Sequence, residues 1–186
     1  MNGAAQHAAE QIALRPKVLV VAIGNPDRAD DGVGALVATK LAGRLPPNVS
    51  LVSRRGDILS LVEDWAGFDA VVCIDAAAPM EMAGRIHRID AVAGELPRSV
   101  SFASSHAFGL AEAIALAGAL RSLPSAVIIY AIEGASFDEG HGMTAEVAAA
   151  AAEVADYVVA EVDRFQRPLH FSGMPALVTP SSRCSR

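Results

Sequence analysis

The sequence predicts an α/β fold, a three-layer sandwich in which about five mostly parallel strands form a twisted sheet with helices on both faces. Short, wholly apolar runs alternate with segments whose apolar residues recur at helical spacing. One further run alternates apolar with polar side chains, which is typical of an antiparallel strand at a sheet edge. A chain of 186 residues, of which 52% are hydrophobic, usually buries one core.

The first strand is predicted over residues 17–23, where KVLVVAI is a β-branched, apolar run suited to a sheet covered on both faces. Turn-forming residues occupy 24–32, and helical spacing then predicts a helix that ends near Gly43. A short second strand follows at 49–53, and a helix is predicted over 57–65. The apolar face of that helix consists of Ile58, Leu61, Val62 and Trp65.

The third strand is predicted over 70–74, ending where the charged Asp75 follows the apolar run. The alternating segment 84–90, GRIHRID, is the predicted edge strand. Ser104 or Ser105 can cap the next helix. The apolar residues of that helix are Phe108, Leu110, Ile114, Leu116 and Leu120.

The last buried strand is predicted over 126–132 and the last long helix over 144–165. We therefore expect a single domain over residues 17–167. Residues 1–16 are expected to form a flexible arm, and the Ser- and Pro-rich residues 168–186 a disordered tail.

Composition excludes several classes of function. The 15 basic and 21 acidic residues give a formal net charge of −6, which disfavours nucleic acid as a partner. We expect no membrane insertion, because charged residues interrupt every apolar stretch before the roughly 18 residues that span a bilayer. The N-terminus lacks the pattern of a secretory leader, so a cytoplasmic location is expected. Two cysteines provide no disulfide framework, and Cys73 is expected to be a small buried hydrophobic residue.

Polar residues follow three predicted strands at the edge where α/β sheets bind ligands. The first strand leads into GNPDRADDGVG, residues 24–34, whose carboxylates disfavour a phosphate-binding loop. The third strand leads to Asp75 and the last to Glu133 and Gly134. The sequence therefore predicts that functional groups concentrate at the carboxyl edge of the sheet.

Each candidate also has a purely structural interpretation. Asp30 or Asp31 can cap the following helix. Asp75 can be solvated or paired, and His106 can be a structural residue at a helix start. What favours a site is that two acids and an imidazole come from three separate segments. Carboxylate and imidazole ligands together suit borderline divalent metals such as nickel or zinc.

Four motifs in this order, IGNPDRADDGVG, VVCIDA, SSHAFGLAEAIALA and IIYAIEG, resemble the hydrogenase maturation proteases. These endopeptidases trim the large subunit of nickel–iron hydrogenases. The resemblance runs from about Lys17 to Phe165. The family's GxGN turn has Ala22 here in place of its first glycine, whereas the other turn positions match. The matching residues are Gly24, Asn25, Asp30, Asp31 and Gly32.

The resemblance implies that Asp31, Asp75 and His106 are the catalytic residues that contact nickel. Members cut a C-terminal peptide from the hydrogenase large-subunit precursor after nickel has been inserted. The nickel belongs to that precursor, so contact is transient and no tightly bound cofactor is expected. A carboxylate acting as general base and the metal acting as Lewis acid are both open as mechanisms. We expect the protein to act as a monomer.

One loop departs from the family pattern. Where members often have an Asp-Gly-Gly turn after the second strand, this chain has SRRGD, which places the equivalent acid at Asp57. Alternatively, Arg54 and Arg55 meet an acidic patch on the precursor. The segment EGASFDEGHGM, residues 133–143, either binds the precursor or is an ordinary solvated connection, which is the favoured interpretation. His87 is expected to face solvent.

Two other functions compete with proteolysis. A non-catalytic chaperone would recognise the hydrogenase precursor or deliver nickel without cutting. A peptidyl-tRNA hydrolase has a similar GNP turn, but its Tyr and its Thr-Arg-His-Asn run are absent here and the net charge of −6 opposes tRNA binding.

Overall fold

The computed structural model describes residues 15–55, 57–94 and 106–167. The strands are β1 (Val18–Ile23), β2 (Val49–Arg54), β3 (Ala70–Ala77), β4 (Ile86–Asp90) and β5 (Ala126–Glu133). The helices are α1 (Val33–Leu41), α2 (Ile58–Trp65), α3 (His106–Ala119) and α4 (Ala145–Gln166), and a 3₁₀ helix covers Ala29–Gly32. The expected tail, almost all of the expected N-terminal arm, and the cap at Ser104 or Ser105 lie outside the described residues and stay predictions.

The five strands form one sheet in the order β2-β1-β3-β5-β4. Strands β2, β1, β3 and β5 run parallel, and β4 pairs antiparallel with β5 at the edge. This arrangement confirms the predicted α/β class with its antiparallel edge strand.

Side chains that alternate along the strands supply two apolar layers. On one face Val18 and Val20 of β1 contribute to a cluster that includes buried residues of α1 and α4. On the other face Leu19 and Val21 join a cluster with α2 and α3, in which Trp65 is fully buried. Because both faces are covered, the central strands must be apolar throughout, which explains their uninterrupted runs.

Edge strand β4 is tied to α4 by a largely buried polar network. The carboxylate of Glu161 accepts two hydrogen bonds from the guanidinium of Arg88, at 3.0 and 3.1 Å. It accepts a third from the hydroxyl of Tyr130, at 3.1 Å. Burial alone would raise the pKa of Glu161, but the bonds from Arg88 and Tyr130 hold it below its usual value.

Two predicted boundaries and one predicted face differ from the structure. Strand β3 continues through Asp75 to Ala77 because its ladder with β5 extends to the pair Ala77–Glu133. The predicted end at residue 74 was therefore wrong, since main-chain pairing continues past a charged side chain. Leu120 lies beyond α3 and is 61% exposed. In the described part of α3, the fully buried side chains are Leu110, Ala113 and Ala117.

None of the described helices is long and apolar enough to cross a membrane.

Helix α1 lies so close to β1 that only glycine fits at residue 34. A Cβ atom there would be 2.2 Å from the carbonyl oxygen of Ile23. We expect Gly34→Ala to lower the free energy of unfolding by about 2 to 3 kcal/mol, because backbone atoms would have to move apart. Urea denaturation measures this change.

Gly118→Ala is the matched control, since a Cβ atom at this helical position meets nothing within 4 Å. Alanine there should leave stability unchanged or raise it slightly through its better helix propensity. Equal losses in both variants would contradict the close packing of α1 on β1.

Candidate functional site

A tightly folded turn, residues 24–32, covers the carboxyl end of β1. Gly24 has φ +131°, and a Cβ atom at this residue would be 1.9 Å from the carbonyl oxygen of Asp31. Ala29 also has a positive φ of 42°, a conformation that non-glycine residues rarely adopt. The 3₁₀ helix Ala29–Gly32, which forms the last part of this turn, is buried throughout. The turn therefore holds Asp31 in one position at the end of the sheet.

Asp31 is fully buried, and only one of its carboxylate oxygens is paired. Oδ2 accepts a hydrogen bond from the backbone N–H of Asn25 at 3.2 Å and lies 3.9 Å from the guanidinium of Arg28. Oδ1 has no hydrogen-bond partner among the described residues. No side-chain bond caps α1, whose N-cap residue is Gly32, so the capping interpretation is wrong for Asp31 and for Asp30.

Asp75 is fully buried within β3, where its Oδ1 accepts from the backbone N–H of Ala76 at 2.8 Å. Its Oδ2 has no partner in the described part of the chain. Burial and, to a smaller extent, the negative charge of Asp31 raise the pKa of Asp75 to about 7, although the bond from the Ala76 N–H opposes this rise.

The 3₁₀ helix that carries Asp31 contacts β3, which carries Asp75, so the structure brings two of the three predicted site residues to the same edge of the sheet. Each has one buried oxygen without a partner among the described residues, and an unpaired buried oxygen costs roughly 1 to 3 kcal/mol. An arrangement this unfavourable is retained most readily where a function needs it.

His106 is the first residue of α3, as its place in the sequence predicts, but its side chain is outside the described atoms. Six residues connect the end of α3, at Ala119, to the start of β5, at Ala126. His106 is at the opposite end of α3, roughly 20 Å from Ala119 along the helix. Within the described residues, no three His, Cys, Asp or Glu side chains are arranged to hold a metal. The predicted metal-contacting set therefore stays a prediction.

Asp30 has a role that sequence reasoning missed. Its carboxylate accepts hydrogen bonds from the backbone N–H groups of Ala135, Ser136 and Thr144, at 2.8, 3.0 and 2.7 Å. The N–H of Asp30 donates to the carbonyl of Ser136 in return. Burial would raise the pKa of Asp30, but these backbone donors hold it below its usual value. Asp30 therefore fastens the loop between β5 and α4 to the turn that carries Asp31.

Glu133 and His87 form a second polar contact at this edge, and the expectation that His87 faces solvent was wrong. Glu133 is fully buried rather than solvated, and the side chain of His87, only 20% exposed, lies 2.6 Å from it. The other oxygen of Glu133 accepts from the backbone N–H groups of Glu81 and Met82. Burial would raise the pKa of Glu133, but the bonds from Met82, His87 and Glu81 lower it to about 2. A charge at the end of a wholly apolar strand was the signal available for Glu133, as it was for Asp75.

The charged residues of the SRRGD segment form hydrogen bonds within this chain. Asp57 caps α2 by accepting from the N–H of Ser60 at 2.9 Å. Arg54 makes a two-bond contact with Asp64, at 2.7 and 2.8 Å, and its contact with a precursor stays a prediction. Arg55 is 68% exposed and bonds to Asn25 in the turn. This loop therefore braces the turn from the β2 side.

Comparison with protein families supports the resemblance carried by the four motifs. A family model described as hydrogenase maturation protease matches residues 36–161. The matched span includes Asp75 and His106, and it begins five residues after Asp31. No curated protein sequence matches the chain.

Solved structures share the fold. The hydrogenase maturating endopeptidase HybD from E. coli superposes with a TM-score of 0.66 at 20% identity, covering 80% of this chain and 93% of that one. The [NiFe] hydrogenase maturation protease HybD from Thermococcus kodakarensis gives 0.63 at 24% identity, with 81% and 99% covered. HycI from Thermococcus kodakarensis KOD1 gives 0.62 at 21% identity, with 84% and 99% covered. At these identities the similarity establishes a common architecture.

Replacing Asp75 with asparagine should change how stability depends on pH. The unfolded carboxyl titrates near its ordinary value, whereas the folded pKa is about 7, so wild-type stability falls as pH rises between those values. The Asp75→Asn variant has no carboxyl at this position, so its stability does not fall in this way as pH rises. We expect the stability of the variant relative to wild type to increase by about 2 kcal/mol between pH 5 and pH 8. Urea denaturation at both pH values tests this, and a constant difference would contradict it.

Removing the carboxylate of Asp30 should loosen the loop after β5. Asp30→Ala leaves three backbone N–H groups without an acceptor, and we expect it to lower the free energy of unfolding by about 3 kcal/mol. The amides of Ala135, Ser136 and Thr144 should exchange hydrogen faster. Asp156→Ala is the control, because that carboxylate is exposed and its one partner in the described part of the chain is Arg44. A similar response in both variants would exclude the anchoring role.

Proposed function

Because this chain belongs to the hydrogenase maturation protease family, we propose that it removes the C-terminal extension of a nickel–iron hydrogenase large-subunit precursor after nickel insertion. The substrate is therefore another protein that already carries its metal. Nickel enters the reaction as part of that substrate, and we propose that the protease holds no metal of its own between reactions.

One observation carries the proposal. Asp31 and Asp75 are fully buried at the carboxyl edge, and each keeps one oxygen without a partner among the described residues. Two such oxygens are the donors that an incoming cation needs, and they are already desolvated and fixed by the turn and by β3. The unfavourable free energy of this arrangement in the free protein would be relieved when the precursor docks.

We propose that Asp31, Asp75 and His106 all contact the nickel of the precursor. Two carboxylates and an imidazole suit nickel better than they suit magnesium or calcium. The contact would hold the scissile bond against the site by proximity. About 4 kcal/mol of metal contact would favour nickel-loaded over empty precursor by roughly a thousandfold.

Hydrolysis needs a base for the attacking water, and a carboxylate of the site, Asp31 or Asp75, is one candidate. The carboxylate would accept a proton from the water and return it afterwards. The water oxygen bonds to the carbonyl carbon, the C–N bond breaks, and the proton passes to the leaving amine. If instead the nickel polarises the carbonyl as a Lewis acid, the rate should not follow the titration of that carboxylate.

The remaining parts of the proposal follow from the same substrate. The partner is the large-subunit precursor, and the protein acts on it as a monomer in the cytoplasm. Its net charge of −6 gives no support to a nucleic-acid substrate.

The decisive experiment incubates purified protein with precursor in nickel-loaded and nickel-free forms. Mass spectrometry should show a shortened large subunit and a released C-terminal peptide only in the loaded sample. An unchanged mass together with stable complex formation would instead indicate a chaperone. Cleavage independent of nickel would remove the metal contact from the mechanism.

Single substitutions at the proposed contacts should abolish processing without unfolding the protein. We expect His106→Ala and Asp31→Asn to reduce the cleavage rate at least a hundredfold, because each removes a nickel contact. Circular dichroism and thermal unfolding report whether the fold is retained. His141→Ala is the matched control, since His141 is exposed and, among the described residues, bonds only to the carbonyl of Glu139. Normal cleavage by a folded His106→Ala protein would exclude His106.

A further inference from the structure

The loop between β3 and β4, residues 78–85, exposes two large apolar side chains to water. Met80 is 37% exposed and Met82 is 65% exposed. Beside them Glu81 and Arg85 form an exposed ion pair. We refer to residues 78–85 as the methionine loop.

Buried groups hold this exposed loop in place. The Oε2 atom of Glu133 accepts from the backbone N–H groups of Glu81 and Met82, at 3.0 and 2.9 Å. The main chain of Glu133 also pairs with Gly84 and Arg85, at 2.7 and 2.9 Å. A fully buried carboxylate thus fixes the backbone of the residues that carry the exposed methionines.

The far end of the methionine loop is equally constrained. Gly84 has φ +82°, and a Cβ atom there would lie 2.7 Å from the carbonyl oxygen of Glu146 in α4. Fixing a loop in this way costs conformational entropy, about 1 to 2 kcal/mol per residue for the backbone. The order of the loop is explained if its shape is used for recognition, since a binding surface ordered in advance loses less entropy on association.

The methionine loop continues directly from the strand that carries Asp75. Met80 and Met82 follow Asp75 by five and seven residues, which limits their Cα separations from Asp75 to about 18 and 25 Å. An extended peptide of about seven or eight residues spans the longer distance. A peptide whose scissile bond lies at Asp31 and Asp75 can therefore reach Met80 and Met82 on the β5–β4 side of the site.

We propose that Met80 and Met82 determine which precursor peptide is accepted, and that Glu133 is the positioning residue that holds them. The inference rests on the proposed proteolytic function and adds its specificity surface. The recognised group is an apolar side chain of the precursor a few residues from the cleaved bond. Methionine suits this task because its flexible, polarisable side chain adapts to different apolar shapes.

The test measures the dissociation constant for nickel-loaded precursor together with KM and kcat. Met82→Ser should weaken binding and raise KM about tenfold with kcat unchanged, since Met82 lies outside the reacting groups. Leu120→Ser is the matched control: Leu120 is 61% exposed but lies in the connection that leads to the start of β5, at the opposite edge of the sheet. It should bind and cleave as wild type does.

Substitutions at Glu133 provide a second test, in which KM and affinity for the precursor are measured again. Glu133→Ala should raise KM as Met82→Ser does, because the loop loses its anchor. Glu133→Gln should restore most of the affinity, since an amide oxygen can still accept from the N–H groups of Glu81 and Met82. In a Met80→Ser/Met82→Ser background, Glu133→Ala should cause no additional rise in KM. An undiminished effect there would show that Glu133 does not act through the methionines.

Unchanged affinity in Met82→Ser and Met80→Ser would overturn the specificity surface even if wild type cleaves normally. So would a selective loss in Leu59→Ser, because Leu59 is 68% exposed on the β2 side of the sheet. Conversely, if wild type binds the precursor without cutting it and Met82→Ser weakens that binding, the surface stands while the proteolytic function fails.

Discussion

Burial of two neighbouring carboxylates at the end of a parallel sheet is the constraint on which the rest of this molecule depends. Asp31 and Asp75 come from a turn and a strand, and neither finds partners for both oxygens in the described structure. Desolvation and, to a smaller extent, the charge of Asp31 raise the pKa of Asp75. The surrounding fold must therefore be rigid enough to hold the pair where water would otherwise enter.

The same edge of the sheet contains two buried acids whose carboxylate oxygens do have hydrogen-bond partners. Asp30 and Glu133 are also fully buried, yet backbone N–H groups satisfy them and lower the pKa of each. Asp30 joins the turn to the loop after β5, and Glu133 joins β5 to the methionine loop. Satisfied carboxylates thus organise the loops around an unsatisfied pair. This difference in hydrogen bonding, rather than burial itself, separates structural acids from candidate reactive ones.

Much of the fold could be predicted because local patterns and the tertiary structure agree. The apolar runs of β1, β3 and β5 are long enough to need cover on both faces, and the alternation in β4 identified it as an edge strand. The disagreements arose where polar side chains had to be assigned by their neighbours in sequence. Asp75 was taken to end its strand, although a strand ends where its pairing partner ends. His87 was expected to face solvent because its partner Glu133, 46 residues away in the sequence, could not be identified from its neighbours.

The sequence by itself determined the α/β class, the single antiparallel edge, and the edge of the sheet at which the acids gather, because strand and helix periodicity and chain connectivity are local properties. Only the tertiary structure decided which acids are satisfied. Hydrogen bonds to Asp30 come from residues more than 100 positions away, and the environment of Asp75 depends on a turn from another strand. Burial and protonation are set by the sum of such distant contacts, which spacing along one chain does not encode.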